Sequence, residues 1–260
     1  MAFLWYHYIT MMVLDEMGGE IVMKKKCFVA IILLILLPLS SFALAGQIDA
    51  ITFRDIAWYS DKRTVSAKMK TIPDVSTPWI GSEQKHAKLE SWFQKWEYFY
   101  SDDAIENGGV ILKFNKVPIA GYSSEVELSF LYTIKNDRVT YDDDTAEFYK
   151  ALYKIDGYPN MYGIYEDLRN KLKQTYGDYV SKSYYEGGLE GALWIAKDGS
   201  LIWLRVYQNS ISHKYQNVMV TYFAPNGEER FASLAQQISN ENTERIKEEQ
   251  KKNADNFEGL

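Results

Sequence analysis

Cysteine is nearly absent from this chain of 260 residues, and histidine is scarce: one Cys and three His. Cys27 heads an apolar run that reads as a removable leader, so the chain downstream holds no thiol. That excludes a disulfide framework, thiol catalysis, CxxC redox chemistry and every thiolate metal site. Beyond the leader only His86 and His213 remain, on separate predicted elements, and their spacing does not pair them. Both read as surface residues. An excess of positive charge is missing too, with 29 Lys and Arg against 35 Asp and Glu and a net charge of −6. Such a balance leaves no footprint for nucleic acid. There is no G-x-S-x-G, no H-E-x-x-H and no Gly-rich phosphate loop. The sequence therefore assigns no catalytic residue, no cofactor and no metal ligand.

What is present begins with a secretory signal. Lys24, Lys25 and Lys26 form a positive n-region, Cys27 to Leu37 an apolar run, and Ala43-Leu44-Ala45 a small-x-small cleavage site before Gly46. Pro38 and the following serines interrupt the run short of the ~20 apolar residues of a spanning helix, although an uncleaved anchor is the competing reading. Residues 1–22 fit an n-region badly, since Asp15, Glu16 and Glu20 precede the lysines. Gly18-Gly19-Glu20 can be encoded by a purine-rich ribosome-binding sequence just upstream of the Met23 codon. The expected organisation is therefore an untranslated leader over 1–22, a signal peptide over 23–45 and a chain exported through the Sec pathway, periplasmic or extracellular.

Downstream, Ile51 to Trp58 reads as a strand, and Ser60 or Asp61 caps a short helix carrying Val65 and Met69. Ser82 caps a second helix, in which Leu89, Trp92, Phe93 and Trp96 form one stripe. Gly108-Gly109 marks a turn. Short strands follow at Val110–Phe114 and 117–120, then a clear one from Val126 to Tyr132 by strict alternation, with Asn136-Asp137 turning into a returning strand at 138–141. Phe148, Leu152 and Ile155 have helical spacing. A second passage repeats the order: a helix with Ile164, Leu168 and Leu172 stopping at Gly177, a hairpin about Asp198-Gly199 suited to a tight primed turn, and a strand with Val218, Val220 and Tyr222. Phe231, Leu234 and Ile238 describe a last helix, and 239–260 is a charged, solvated tail. The expected fold class is α+β, two helix-then-antiparallel-strand units over 46–156 and 157–238 with helices on one face of the sheet.

The opening Phe53-Arg-Asp-Ile-Ala-Trp58, followed by Tyr59 and a helix with Val65, is similar to the F-x-x-I-x-W-G-x-S openings of uncharacterised bacterial exported proteins. Tyr59 stands where that pattern has Gly. The order of short helices and antiparallel strands also resembles the repeats of beta-lactamase-inhibitor-like and small outer-membrane-lipoprotein-like domains. That resemblance implies a protein-binding module rather than an enzyme, and no functional residue carries over.

Asp142-Asp143-Asp144 with Glu147 is the most acidic cluster, but it lacks the alternating acids and central Gly of an EF-hand loop and reads as a cap. Paired carboxylates for glycoside hydrolysis stay open because their separation is spatial; Glu127 comes nearest to an apolar setting and is expected to face solvent. The high aromatic content, 15%, suits half-buried strands and interface anchors. Tyr184 and Tyr185 beside Gly187-Gly188, and Tyr207 and Tyr215 flanking the His213 loop, are the candidate binding surface. The expected function is binding of another macromolecule, a protein or cell-wall polymer, at the envelope or outside the cell, with the membrane met only transiently through the signal peptide; the alternative is a cell-wall carbohydrate-binding or hydrolytic protein.

Overall fold

The computed structural model describes residues 48–73, 75, 84–90, 104–184, 189–208, 212 and 214–254. The chain divides into two units, residues 1–45 and 46–260, and all described residues belong to the second. The elements run α1 (Lys62–Met69), β1 (Gln84–Glu90), β2 (Ala104–Ile119), β3 (Tyr122–Leu131), β4 (Thr133–Lys135), β5 (Arg138–Thr140), a 3₁₀ turn (Asp143–Thr145), β6 (Glu147–Asp156), α2 (Met161–Tyr176), β7 (Val180–Tyr184), β8 (Leu189–Ile195), β9 (Leu201–Gln208), β10 (Tyr215–Phe223) and α3 (Gly227–Ala254). The class is mixed α+β and dominated by sheet. Eight strands form one antiparallel sheet in the order β1-β2-β3-β6-β10-β9-β8-β7, and β4 and β5 form a separate ribbon.

Because directly opposed residues share a face, the register sorts the side chains. Phe114, Val126, Tyr153, Val220, Leu204 and Ala192 stand opposite one another in succession, and all are buried in one core. That face packs against Phe53, α1 through Val65 and Met69, and α2 through Met161, Ile164, Tyr165 and Leu168. Each such side chain contributes about 1.5–3 kcal/mol by leaving water. Helix α3 adds Phe231, Leu234 and Ile238 to the core and touches β2, β4 and β5.

Several elements match the sequence reading for the reasons given. Asp61 is the N-cap of α1, accepting from Thr64 N at 2.8 Å. Gly177, at φ 78°, ends α2 as expected by donating to Lys173 O at 2.8 Å; its N-cap, Asn160, is a residue the sequence reading did not single out. Asn136 and Asp137 both have positive φ, as a primed hairpin turn requires.

Others differ. Residues 51–58 are not a strand: Arg54 and Asp55 both take positive φ and Ile56 N returns to Phe53 O at 2.9 Å, a tight turn inside the expected element. Gln84–Glu90 is a strand paired to β2 rather than the start of a helix, an instance of tertiary pairing overriding a local pattern; Trp92, Phe93 and Trp96 lie outside the described residues. The two short strands about Asn115-Lys116 are one strand with a β-bulge, where the register slips between Phe114 and Val117 and Lys116 has φ 57°. Gly108-Gly109 is not a turn either. It lies within β2, where a Cβ on Gly109 would collide with the carbonyl oxygen of Phe130.

Glu147–Asp156 is also a strand, not a helix. Ala151, Tyr153 and Ile155 are its buried period-2 set, and the helical spacing of Phe148, Leu152 and Ile155 is incidental. The β8–β9 hairpin forms as expected, but only Gly199 is left-handed, at φ 88°, so the loop is a longer turn than the primed one anticipated. The tail is solvated yet helical as far as Ala254.

The F-x-x-I-x-W opening acquires a physical account. Phe53 packs on Phe148, Tyr153 and Tyr222 at 5.5–5.7 Å, and Ile56 is 3% exposed. Trp58 stacks on Phe148 at 5.0 Å and donates Nε1–H to Ile51 O at 2.7 Å. Tyr59 has φ 63°, a conformation glycine adopts without cost, and Asp61 fills the pattern's Ser position as helix cap.

Candidate functional site

The face of the sheet turned away from the α1–α2 core is the site the fold constructs. Its central row is Lys113, Glu127, Leu152, Thr221, Trp203, Leu193 and Val180, opposed strand by strand. The next row runs Ile111, Ser129, Lys150, Phe223, Leu201 and Ile195. Leu193, Trp203 and Phe223 are buried on this face yet stand outside the contiguous core.

Polar groups punctuate it. Lys113 and Glu127 form an ion pair at 2.7 Å, and the carboxylate raises the lysine pKa by accepting its hydrogen bond. Glu127 thus faces a lysine on the non-core side, half-buried rather than fully solvated. Arg205 lies over the Trp203 ring at 4.2 Å and reaches toward Thr221 Oγ1 at 3.4 Å. The β3–β6 register slips between Ser129 and Phe130, so β6 carries one extra residue there, Tyr149. A bulge of this kind re-aims side chains, and Tyr149, Lys150 and Ser129 are all at least nine-tenths buried beside it. Ser129 Oγ has no hydrogen-bond partner among the described residues.

Toward the β7 edge the same face becomes apolar and open. Val180 is 50% and Ile195 45% exposed; they flank Leu193 and half-buried Leu201, with Trp203 one strand further in. The candidate tyrosines divide around this patch. Tyr207 is half-buried and its β9 position, two residues beyond Arg205, lies on this face. Tyr184 occupies the same row at backbone level, through Leu189. Tyr215 belongs to the core side, its ring 4.9 Å from Tyr162 of α2, so the structure separates it from Tyr207. Tyr185 and His213 lie outside the described residues, and His86 falls on β1. The patch was missed in the sequence although its signal was there, the period-2 series Leu201, Trp203, Arg205, Tyr207.

Ionisable groups elsewhere serve structure. Among the described residues no three His, Cys, Asp or Glu side chains come together as a metal site. Asp142 caps Asp144 N at 3.1 Å, Asp143 accepts from Tyr132 OH at 2.6 Å, and Asp144 pairs with Arg63 at 3.0 Å. The Arg63 hydrogen bond holds the Asp144 carboxyl below its ordinary range. A hydrogen bond from Lys171 does the same for Asp167. Burial pushes the phenols of Tyr153, Tyr176 and Tyr222 up, so all three stay protonated at neutral pH. Arg54 Nε donates to Tyr153 OH at 2.5 Å, anchoring the tight turn over this phenol cluster. No described helix is long and apolar enough to cross a membrane. No family model, no curated protein and no solved structure matches the chain.

Proposed function

We propose that this is an exported, non-enzymatic module that binds another protein at the bacterial envelope or outside the cell, through the β7–β9 corner of its sheet. The observation that carries the reading is the exposed pair Val180 and Ile195 beside Leu201, Leu193 and Arg205-covered Trp203. Val180, Ile195 and half-buried Leu201 are the members of this group that meet solvent, over buried Leu193 and Trp203, and adjoining exposed apolar residues mark interaction surfaces.

The cell-wall carbohydrate reading needs an open aromatic platform or two facing carboxylates. The described tryptophans offer no open ring: Trp58 stacks on Phe148, Trp194 is 1% exposed, and Trp203 is 6% exposed with Arg205 over it. Trp79, Trp92 and Trp96 lie outside the described residues.

The same proposal takes residues 46–156 and 157–238 as two related units. Each is a helix followed by a four-strand meander, β1-β2-β3-β6 and β7-β8-β9-β10, and the two last strands pair antiparallel at the centre of the sheet. The start of α1 meets the start of β6 through the Asp61–Glu147 bridge. The start of α2 meets the start of β10 where Tyr162 packs on Tyr215. On this reading the docking face is one surface continuous across both units.

The test is retention of envelope and culture-medium proteins by the immobilised chain, compared with a Val180→Glu/Ile195→Glu variant. A saturable protein partner lost in the variant, at unchanged unfolding midpoint, is the expected result. Retention on purified peptidoglycan or polysaccharide instead moves the reading to the wall polymer.

A further inference from the structure

The eight-stranded sheet ends in β1 on one side and β7 on the other. A terminal strand presents main-chain donors and acceptors to any strand that arrives. Strand β1 is an irregular template, because its pairing with β2 slips twice within Gln84–Glu90. Strand β7 is a regular one: Val180–Tyr184 pair with Leu189–Leu193 without a slip. Among the described elements, β8 alone lies along it.

The register fixes which β7 groups face outward. Ala196 N donates to Ser200 O at 2.9 Å, which makes Ala196–Ser200 a bonded pair. Bonded and non-bonded pairs alternate along an antiparallel ladder, so Leu193, Gly191 and Leu189 turn their main-chain groups away from β9 and toward β7. Their partners Val180, Lys182 and Tyr184 spend their own groups on β8. Ser181 and Ser183 therefore aim their N–H and C=O out of the edge of the sheet. These groups adjoin the apolar corner, where Val180 is 50% exposed. Directly opposed residues share a face, so a guest residue opposite Val180 lies on the face of Leu193 and Trp203. The next guest residue on that face stands opposite a lysine position, 182.

We propose that β7 accepts an extended segment of the partner protein as an antiparallel ninth strand, with an apolar residue opposite Val180 and an acidic one opposite Lys182. This rests on the docking surface of the preceding section and states how the guest is held there. Bonds to the main chain of Ser181 and Ser183 supply affinity, and the alternate side chains supply selectivity. A second copy of the chain is disfavoured as guest. Twofold pairing of β7 over its full length centres on 182 and sets lysine against lysine, and like charges directly opposed are destabilising.

The test uses the full chain and a fluorescein-labelled seven-residue peptide in which threonines alternate with Val, Glu and Val. One comparison peptide carries Lys for Glu, the other N-methyl groups on the two inner threonines. Ser183→Pro removes an outward N–H and no β7–β8 bond, a position where an edge strand tolerates proline, whereas Lys182→Pro breaks the ladder. The expected result is saturable binding of the parent peptide, at least tenfold weaker for both comparison peptides and for Ser183→Pro. The unfolding midpoint falls in Lys182→Pro and holds in Ser183→Pro; an equal fall in both overturns the register on which the proposal stands. Absence of saturable binding overturns the proposal, as does a dimer of the chain abolished by Ser183→Pro. Binding that survives N-methylation and Ser183→Pro but is lost in Val180→Glu/Ile195→Glu is side-chain docking; it overturns strand addition and leaves the docking surface standing. Peptide binding as expected, with no envelope or medium protein retained by the chain, upholds the strand site and overturns the wider reading instead.

Discussion

The left-handed backbone at Tyr59 sets up a comparison whose sign the structure dictates. Tyr59 has φ 63°; its hydroxyl donates to the Pro225 carbonyl, and its ring lies under the Arg230 guanidinium at 3.8 Å. Removing the side chain loses a hydrogen bond of about 1 kcal/mol, a cation–π contact of ~0.5–2 kcal/mol and part of a half-buried ring. Tyr59→Ala and Tyr59→Gly lose all of these equally. They differ only in the backbone. Ala keeps the left-handed strain, about 1–2 kcal/mol, which Gly escapes; against that, Gly gains ~0.4–1 kcal/mol of unfolded-state freedom. The net expectation is that Tyr59→Gly is the more stable of the two by about 0.5–1 kcal/mol, both lying below wild type. Urea unfolding followed by tryptophan fluorescence resolves this as a midpoint difference of roughly 0.3–0.5 M at an m-value of ~2 kcal/mol/M. At an ordinary backbone position Ala wins. If Tyr59→Ala equals or exceeds Tyr59→Gly, the left-handed conformation and the account of the F-x-x-I-x-W-G pattern built on it are both wrong.

Three further outcomes follow from particular contacts. The Asp61 carboxyl is held below its usual pKa chiefly by the Thr64 amide it accepts, so its stabilisation is present above about pH 4 and is lost as pH falls through its folded value. Wild type should therefore exceed Asp61→Asn by ~0.3–1 kcal/mol at pH 7, and that lead should shrink progressively as pH is lowered below about 4, measured as urea midpoints across the acid range. Ser129→Ala removes a buried hydroxyl without a partner among the described residues and should leave stability unchanged or raise it by up to ~1 kcal/mol; a loss above 1 kcal/mol would expose a partner for that oxygen. On α3, Lys247→Pro lies beyond the last buried residue, Ile238, and should lower the helical circular dichroism signal without moving the unfolding midpoint. Ala235→Pro, packed against the core, should cost ~3 kcal/mol or more.

The legible parts of the fold were those whose signal is local. The cap at Asp61, the glycine stop at 177, the Asn136-Asp137 turn and the strand from Val126, which ends at Leu131 one residue short of the expected Tyr132, each depend on a few adjacent residues. The illegible parts were decided at a distance. Whether Gln84–Glu90 and Glu147–Asp156 become helix or strand depends on partners 14 or more residues away, at Ala104–Ile111 and on β3 and β10. The tight turn at Arg54-Asp55 uses two residues that seldom adopt positive φ, held by Tyr153, the Pro118 carbonyl and Lys68. The candidate surface shows the same division. Strand alternation placed Tyr207 beside Arg205 and Trp203, but only the register could reveal that Val180, Leu193 and Trp203 stand abreast, or that Tyr215 faces the opposite way.

The most direct test of the β7–β9 docking surface places a photo-crosslinking amino acid singly at Val180, at Ile195 and, as a remote control, at exposed Tyr158, followed by irradiation with envelope and medium fractions of the native host. The account predicts the same protein adduct from positions 180 and 195, competed away by unlabelled chain, and none from 158. Identical adducts from all three positions, or no protein adduct from the first two, would contradict it.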